Sequence, residues 1–188
     1  DAADAARGRL VFLKEGAGGG VERLAENLGA LVVERVAKMK QELYNAFRNN
    51  SIVHFDSYRE IVYLKEYLAE NPNGIVRCAL RCNFDIGEDE RSRFGFDAQS
   101  NEVLEVYEEL FNLEGCLPIG IHCHFSTRHR SLDSYKLRTE KLIELSKQIF
   151  NGRNIEYIDI GGGFFGEMPL EVKRLFNYPV PAFKEYAD

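Results

Sequence analysis

From about residue 39 onward, short apolar runs alternate with longer segments of helical periodicity, and this alternation leaves few folds open. Ser51–Phe55 is an apolar strand, and Ser57-Tyr-Arg-Glu60 after it has the spacing of a capping box. Tyr58, Ile61, Val62, Tyr63 and Leu68 give an approximate helical stripe, which Asn71-Pro72-Asn73-Gly74 stops. Gly74–Arg81 reads as the next strand and Asp85–Arg93 as a polar loop. Ser100 is placed to cap a helix carrying Val103, Val106, Tyr107, Leu110 and Phe111 on one face. Leu117–His124 is a strand, Asp133–Phe150 a long amphipathic helix and Ile155–Ile160 another strand. Strands separated by helices predict a parallel α/β sheet joined by right-handed crossovers.

In such sheets the chemistry gathers at the carboxyl ends of the strands. Two motifs lie there: Gly120-Ile-His-Cys-His-Phe-Ser-Thr127 and Tyr157-Ile-Asp-Ile-Gly-Gly-Gly-Phe164. Alternate strand residues share a face, so His122 and His124 project together while Cys123 points away into packed core. Gly161, Gly162 and Gly163 leave the backbone bare, which favours close approach of N–H groups to an anion such as phosphate. Together they suggest a cofactor site. A His-x-His pair at a strand end also suits zinc in metal-dependent hydrolases, but such a site wants further histidines and an aspartate on later strand ends, and no histidine follows His129. His54 and His129 have no supporting motif and read as structural or solvated. Arg91 and Arg93 sit in a charged loop, and Glu105, Glu108 and Glu109 form the wet face of a helix.

The length of 188 residues and 45% hydrophobic content suit one domain with a sizeable core. A net charge of −6 argues against a general nucleic-acid binder. No apolar run approaches the roughly 20 residues needed to span a bilayer, and no secretory signal is seen. Cys78, Cys82, Cys116 and Cys123 read as buried reduced thiols of a cytoplasmic protein rather than two disulfides. Residues 1–38 differ in composition: they hold more than half of the alanines and no tyrosine or isoleucine. Leu10–Leu13 is expected as a strand, Val21–Leu28 as a helix and Ala30–Val36 as a second strand, with Gly18-Gly19-Gly20 between the first two. This atypical segment precedes a barrel domain at 39–188.

From Lys40 to Asp188 the chain resembles the fold-III pyridoxal-phosphate enzymes, especially the diaminopimelate and ornithine decarboxylases. The resemblance rests on Asp56-Ser57, Leu80-Arg-Cys-Asn83, Ser92-Arg-Phe-Gly-Phe96, His122-Cys-His124, Asp159-Ile-Gly-Gly-Gly-Phe164 and, later, Pro181–Ala187. It implies a TIM-type (β/α) barrel, incomplete at about six of eight strand-helix units, with a parallel sheet. By resemblance His124 stacks on the pyridine ring of pyridoxal 5'-phosphate. Thr127, with Ser126 beside it, takes the phosphate-binding hydroxyl role, Gly161–Gly163 wrap the phosphate, and Arg81 and Asp159 support the wall. Arg93 becomes a candidate for substrate or cofactor contact. The resemblance also implies a small amino-acid substrate such as diaminopimelate, α-decarboxylation, and a homodimer. The family's Schiff-base lysine finds one counterpart, Lys14 in Val11–Glu15, and the residues after it do not match. The family's eighth strand and carboxyl-terminal β-domain have no matching residues. A catalytically incomplete barrel serving as a binding or interaction module is therefore the competing expectation.

Overall fold

A computed structural model of the chain describes residues 9–11, 22–25, 30–33, 37–87, 92–125, 127 and 129–186. Its elements are β1 (Arg9–Val11), β2 (Glu22–Ala25), β3 (Ala30–Val33), α1 (Lys40–Arg48), β4 (Ile52–Phe55), α2 (Tyr58–Glu70) and β5 (Val76–Asn83). They continue as β6 (Phe96–Asp97), α3 (Glu102–Phe111), β7 (Cys116–His122), α4 (Leu132–Phe150), β8 (Tyr157–Asp159), α5 (Leu170–Lys173) and a 3-10 turn at Phe183–Tyr186. The sheet order is β1-β8-β7-β5-β4-β3-β2, with β6 pairing β5 off this path. All pairings are parallel except β2 with β3. This is an incomplete α/β barrel, a curled sheet with its helices on the outside.

The amino-terminal expectations need correction. Glu22–Ala25, expected within a helix, is a strand running antiparallel to β3, from Glu22↔Val33 to Ala25↔Ala30. Pairing there covers the backbone of β3 on the side away from β4, a stronger demand than local helical pattern. Among the described residues the sheet has eight strands, the six expected together with β2 and the two-residue β6. Of the first expected strand, the described part is β1, Arg9–Val11, which lies parallel to β8. Lys14 and Gly18–Gly20 lie outside the described residues.

The capping box at Ser57 is also overturned. Ser57 is the N-cap of α2 but its hydroxyl caps nothing. Glu60 turns instead to the backbone N–H groups of Lys38 and Asp56, at 3.0 and 2.8 Å, and to Lys38 Nζ at 3.1 Å. A buried ammonium claims that carboxylate more strongly than an exposed cap does. At α3 the N-cap is Asn101, one residue beyond Ser100, whose hydroxyl still accepts from the Glu102 N–H.

Two apolar layers hold the sheet. The outer one packs Leu43, Leu64, Leu80, Leu110 and Leu142, all fully buried, between strands and helices. Each such side chain contributes about 1.5–3 kcal/mol on burial. The inner one is smaller: Val32, Ile52, Ala79, Ile119 and Tyr157. One inner register row runs His54↔Ala79↔Gly120↔Tyr157. The two middle residues are small, so His54 Nε2 and the Tyr157 hydroxyl meet over them at 2.6 Å. A Cβ on Gly120 would sit 2.5 Å from the Tyr157 ring. Four strands laid flat span about 14 Å, so this bond requires the sheet to curl.

The β5–β7 ladder slips between Cys78 and Ala79. Tyr107 of α3 repairs the slip: its hydroxyl donates to the Gly120 carbonyl at 2.6 Å and accepts from the Leu80 N–H at 3.0 Å. The four cysteines are free and buried, as expected.

Candidate cofactor-binding site

Above the row of His54 and Tyr157, the inner face carries Arg81↔His122↔Asp159, with Asp56 just past β4. Arg81 is a clamp across three strand ends. Its Nη1 lies 3.2 Å from Asp56 Oδ1, its Nη2 donates to the His124 carbonyl at 2.7 Å, and its guanidinium packs over Phe94. His122 Nδ1 lies 3.2 Å from Asp159 Oδ2, and His54 Nδ1 lies 3.8 Å from the same oxygen. All three of these side chains are buried.

Two residues further along each strand direction come His124 and the glycine loop. Asp159 Oδ1 accepts from the Gly161 N–H at 2.8 Å, a short bridge that turns the chain at the end of β8. Gly161 has φ +77°, and a Cβ there would meet the Cys123 carbonyl oxygen at 2.5 Å and His124 Nδ1 at 3.2 Å. Only glycine combines that backbone with so close an approach. The Gly162 N–H donates to His124 Nδ1 at 3.4 Å, which orients the imidazole from the loop. The Arg81 bond to the same residue's carbonyl fixes its backbone.

A second support comes from α4. The Tyr135 hydroxyl donates to the Gly162 carbonyl at 2.7 Å. The Tyr135 ring stacks on Phe164, and the guanidinium of buried Arg138 lies 3.9 Å from its centroid. Arg138 is held in turn by Ser134 of the same helix.

Of the residues expected at the site, His124, Gly161, Gly162, Gly163, Arg81 and Asp159 lie at neighbouring strand ends, Thr127 follows in the loop after β7, and Ser126 falls outside the described residues. Thr127 Oγ1 is buried with no hydrogen-bond partner among the described residues. Arg93 is exposed, its guanidinium over Phe94. His129 is exposed and packs against Tyr178. Burial first of all pushes the Cys123 thiol up to about 12, so it offers no thiolate to the site. Sequence reasoning missed His54, Tyr135 and Arg138. Tyr135 and Arg138 sit in an ordinary amphipathic helix, and only the bond of Tyr135 to Gly162, with Arg138 over its ring, ties them to the loop. Among the described lysines only Lys38 is buried, and Glu60 holds it.

A curled parallel sheet whose strand ends present an oriented imidazole and a glycine turn defines an α/β barrel of the cofactor-binding kind. Residues 22–187 match the family model for the pyridoxal-binding domain of pyridoxal-dependent decarboxylases. The chain belongs to that family. It is 29% identical over 197 residues to a diaminopimelate decarboxylase of Aquifex aeolicus, covering 99% of this chain and 43% of the relative. A Corynebacterium efficiens diaminopimelate decarboxylase is 26% identical over 142 residues, which is 66% of this chain and 31% of that one. A crystal structure from Aquifex aeolicus superposes with TM-score 0.60 at 30% identity, covering 71% of this chain and 31% of that one. A Helicobacter pylori diaminopimelate decarboxylase variant complexed with L-lysine gives 0.68 at 20% identity, over 83% of this chain and 40% of that one. The chain thus spans less than half the length of the curated relatives it matches.

The residues present fit pyridoxal phosphate. Thr127 supplies a buried hydroxyl with no hydrogen-bond partner among the described residues, and a side chain at Gly161 would collide with the Cys123 carbonyl. His124 lies beside that turn with its imidazole tied to it.

Proposed function

We propose that this chain is the cofactor-binding barrel portion of a pyridoxal-phosphate-dependent amino-acid decarboxylase of the diaminopimelate type. The observation that carries this reading is the tie between His124 and the Gly161–Gly163 turn at adjacent strand ends, with the buried Thr127 hydroxyl just past β7. In this reading residues 39–188 form the cofactor-binding barrel and 1–38 a distinct amino-terminal segment. The protein acts in the cytoplasm as a homodimer on a small amino acid. L-Lysine, the ligand named for the Helicobacter pylori relative, is what diaminopimelate becomes on losing one carboxylate, which favours that substrate.

His124 would lie flat against the pyridine ring, kept at its angle by the Gly162 N–H and at its height by the Arg81 bond to its carbonyl. Thr127 would donate its hydroxyl to the phosphate, with Ser126 adjacent. The glycine turn would close around the phosphate without side chains, held from below by Asp159 and from outside by Tyr135. Once bound, the group supplies an electron sink for the bond lost at the substrate α-carbon. Everything these residues do is positioning, which is where the protein's share of cofactor catalysis lies.

The test is a fluorescence titration with pyridoxal phosphate, comparing the natural chain with Gly162→Asp. The substitution sets an anion against the phosphate, so binding should be abolished; unchanged affinity overturns the assignment. Borohydride reduction followed by peptide mapping then asks which lysine is trapped. A single labelled lysine, with Lys14 the candidate, supports a working imine site. Scattered or absent labelling favours the incomplete barrel serving as a binding module.

A further inference from the structure

The site above leaves His54 without a role, although it is buried at the centre of the inner face. We propose that His54, His122 and Asp159 form a binding site for one divalent transition-metal ion of the zinc class, beneath His124 and the glycine turn.

Geometry comes first. The three strands β4, β7 and β8 bring two ring nitrogens and a carboxylate oxygen together, all within 4.8 Å of one another. The nitrogen–oxygen separations are 3.2 Å for His122 and 3.8 Å for His54. Ligands about 2.0–2.1 Å from a tetrahedral ion stand about 3.3–3.4 Å apart, so these two edges already bracket the required length. The two imidazole centroids are 4.6 Å apart with planes inclined at 35°, open enough for both rings to aim at one point.

The outer contacts are those a metal ligand set needs. His54 is bonded through Nε2 to the Tyr157 hydroxyl at 2.6 Å, leaving Nδ1 toward the carboxylate. Asp159 holds its other oxygen against the Gly161 N–H, leaving Oδ2 toward the rings. Such bonds fix the tautomer and direction of first ligands and raise their basicity.

Charge points the same way. The Asp159 side chain is 0% exposed, and His54 and His122 are 1% and 2% exposed. A buried carboxylate requires positive charge nearby. An imidazolium shared by the pair, or a cation held between the two rings and Oδ2, would supply such charge. Two imidazoles and one carboxylate are the donor set that suits zinc and its neighbours rather than calcium or magnesium. His124 is outside this set, so the ion takes the first histidine of His-x-His and the cofactor the second.

The experiment uses the whole chain, stripped with chelator and free of pyridoxal phosphate, so its outcome does not depend on the cofactor reading. Cobalt(II) is titrated in while visible d–d absorption is followed, and zinc retention after gel filtration is measured by elemental analysis. One equivalent should bind with the intense bands of a low-coordinate site. His54→Gln and His122→Gln should each abolish stoichiometric binding, and His129→Gln should leave it intact. Should either glutamine variant fail to fold by circular dichroism, Tyr157→Phe serves instead. It leaves the three ligands and removes an outer contact, so zinc affinity should fall by roughly 10–100-fold. A folded natural chain that shows no bands and retains no zinc overturns the proposal in favour of a shared imidazolium. So does binding that survives the variants unchanged.

Discussion

The hydroxyl of Tyr135, on α4, donates to the carbonyl of Gly162 at 2.7 Å, so a helix outside the sheet sets the position of a loop inside the strand ends. Gly163 lies against the same hydroxyl, where a Cβ would stand 3.4 Å away. Tyr135→Phe keeps the stack on Phe164 and removes only the bond. A net hydrogen bond contributes about 0.5–1.5 kcal/mol, so pyridoxal-phosphate affinity should fall about 2- to 12-fold. Fluorescence titration would read this, and affinity equal to that of the natural chain would show that the loop holds itself.

Gly120 is the second place where a single missing side chain decides geometry. Gly120→Ala would push a methyl into the Tyr157 ring and part it from His54. Overpacking of this kind costs typically about 1–3 kcal/mol. A urea melt should show the midpoint fall with little change in slope. An unchanged midpoint would mean that the sheet opens at no cost.

The sequence shows much of this design and hides the rest for identifiable reasons. The strand-helix rhythm from Ser51 to Ile160 is legible because each strand is nearly all apolar and each helix has a striped face. The glycine turn and His124 are legible because positive φ and strand alternation leave marks in residue type. Glu60 misleads because its spacing from Ser57 is that of a cap, whereas its partner Lys38 stands 22 positions earlier. Glu22–Ala25 misleads because edge pairing with β3 outweighs local periodicity. His54 carries no motif at all; its meaning arises only when the curl brings Tyr157 and Asp159 across β5 and β7.

The Lys38–Glu60 pair offers a test by double-mutant cycle. Burial lowers the Lys38 pKa and raises that of Glu60, each opposed by the partner's charge. Glu60→Gln or Lys38→Met alone leaves one buried charge unmatched and should cost about 3–5 kcal/mol. The double variant should cost less than the sum of the two, with a coupling of about 0.5–3 kcal/mol. Additive urea-melt values would show that the pair is not a unit.

Alkaline pH probes the thiols in β5 and just past β7. Burial raises Cys78 and Cys82 well above the ordinary thiol value of 9.0, and Cys123 to about 12. A group whose folded pKa lies above its unfolded one holds its proton in the folded chain after the unfolded chain has lost it. Its contribution is therefore complete below pH 9 and declines as pH rises toward the folded value. Stability measured by urea should fall steadily from pH 9 upward, more gently in Cys123→Ala. The same protonated thiols should resist iodoacetamide at pH 8 until the chain is unfolded. Rapid alkylation of Cys123 in the folded chain would contradict its burial between β7 and α4. A slope above pH 9 that is identical in Cys123→Ala would assign the alkaline loss to Cys78, Cys82 and the buried Tyr107, whose pKa is likewise raised by burial.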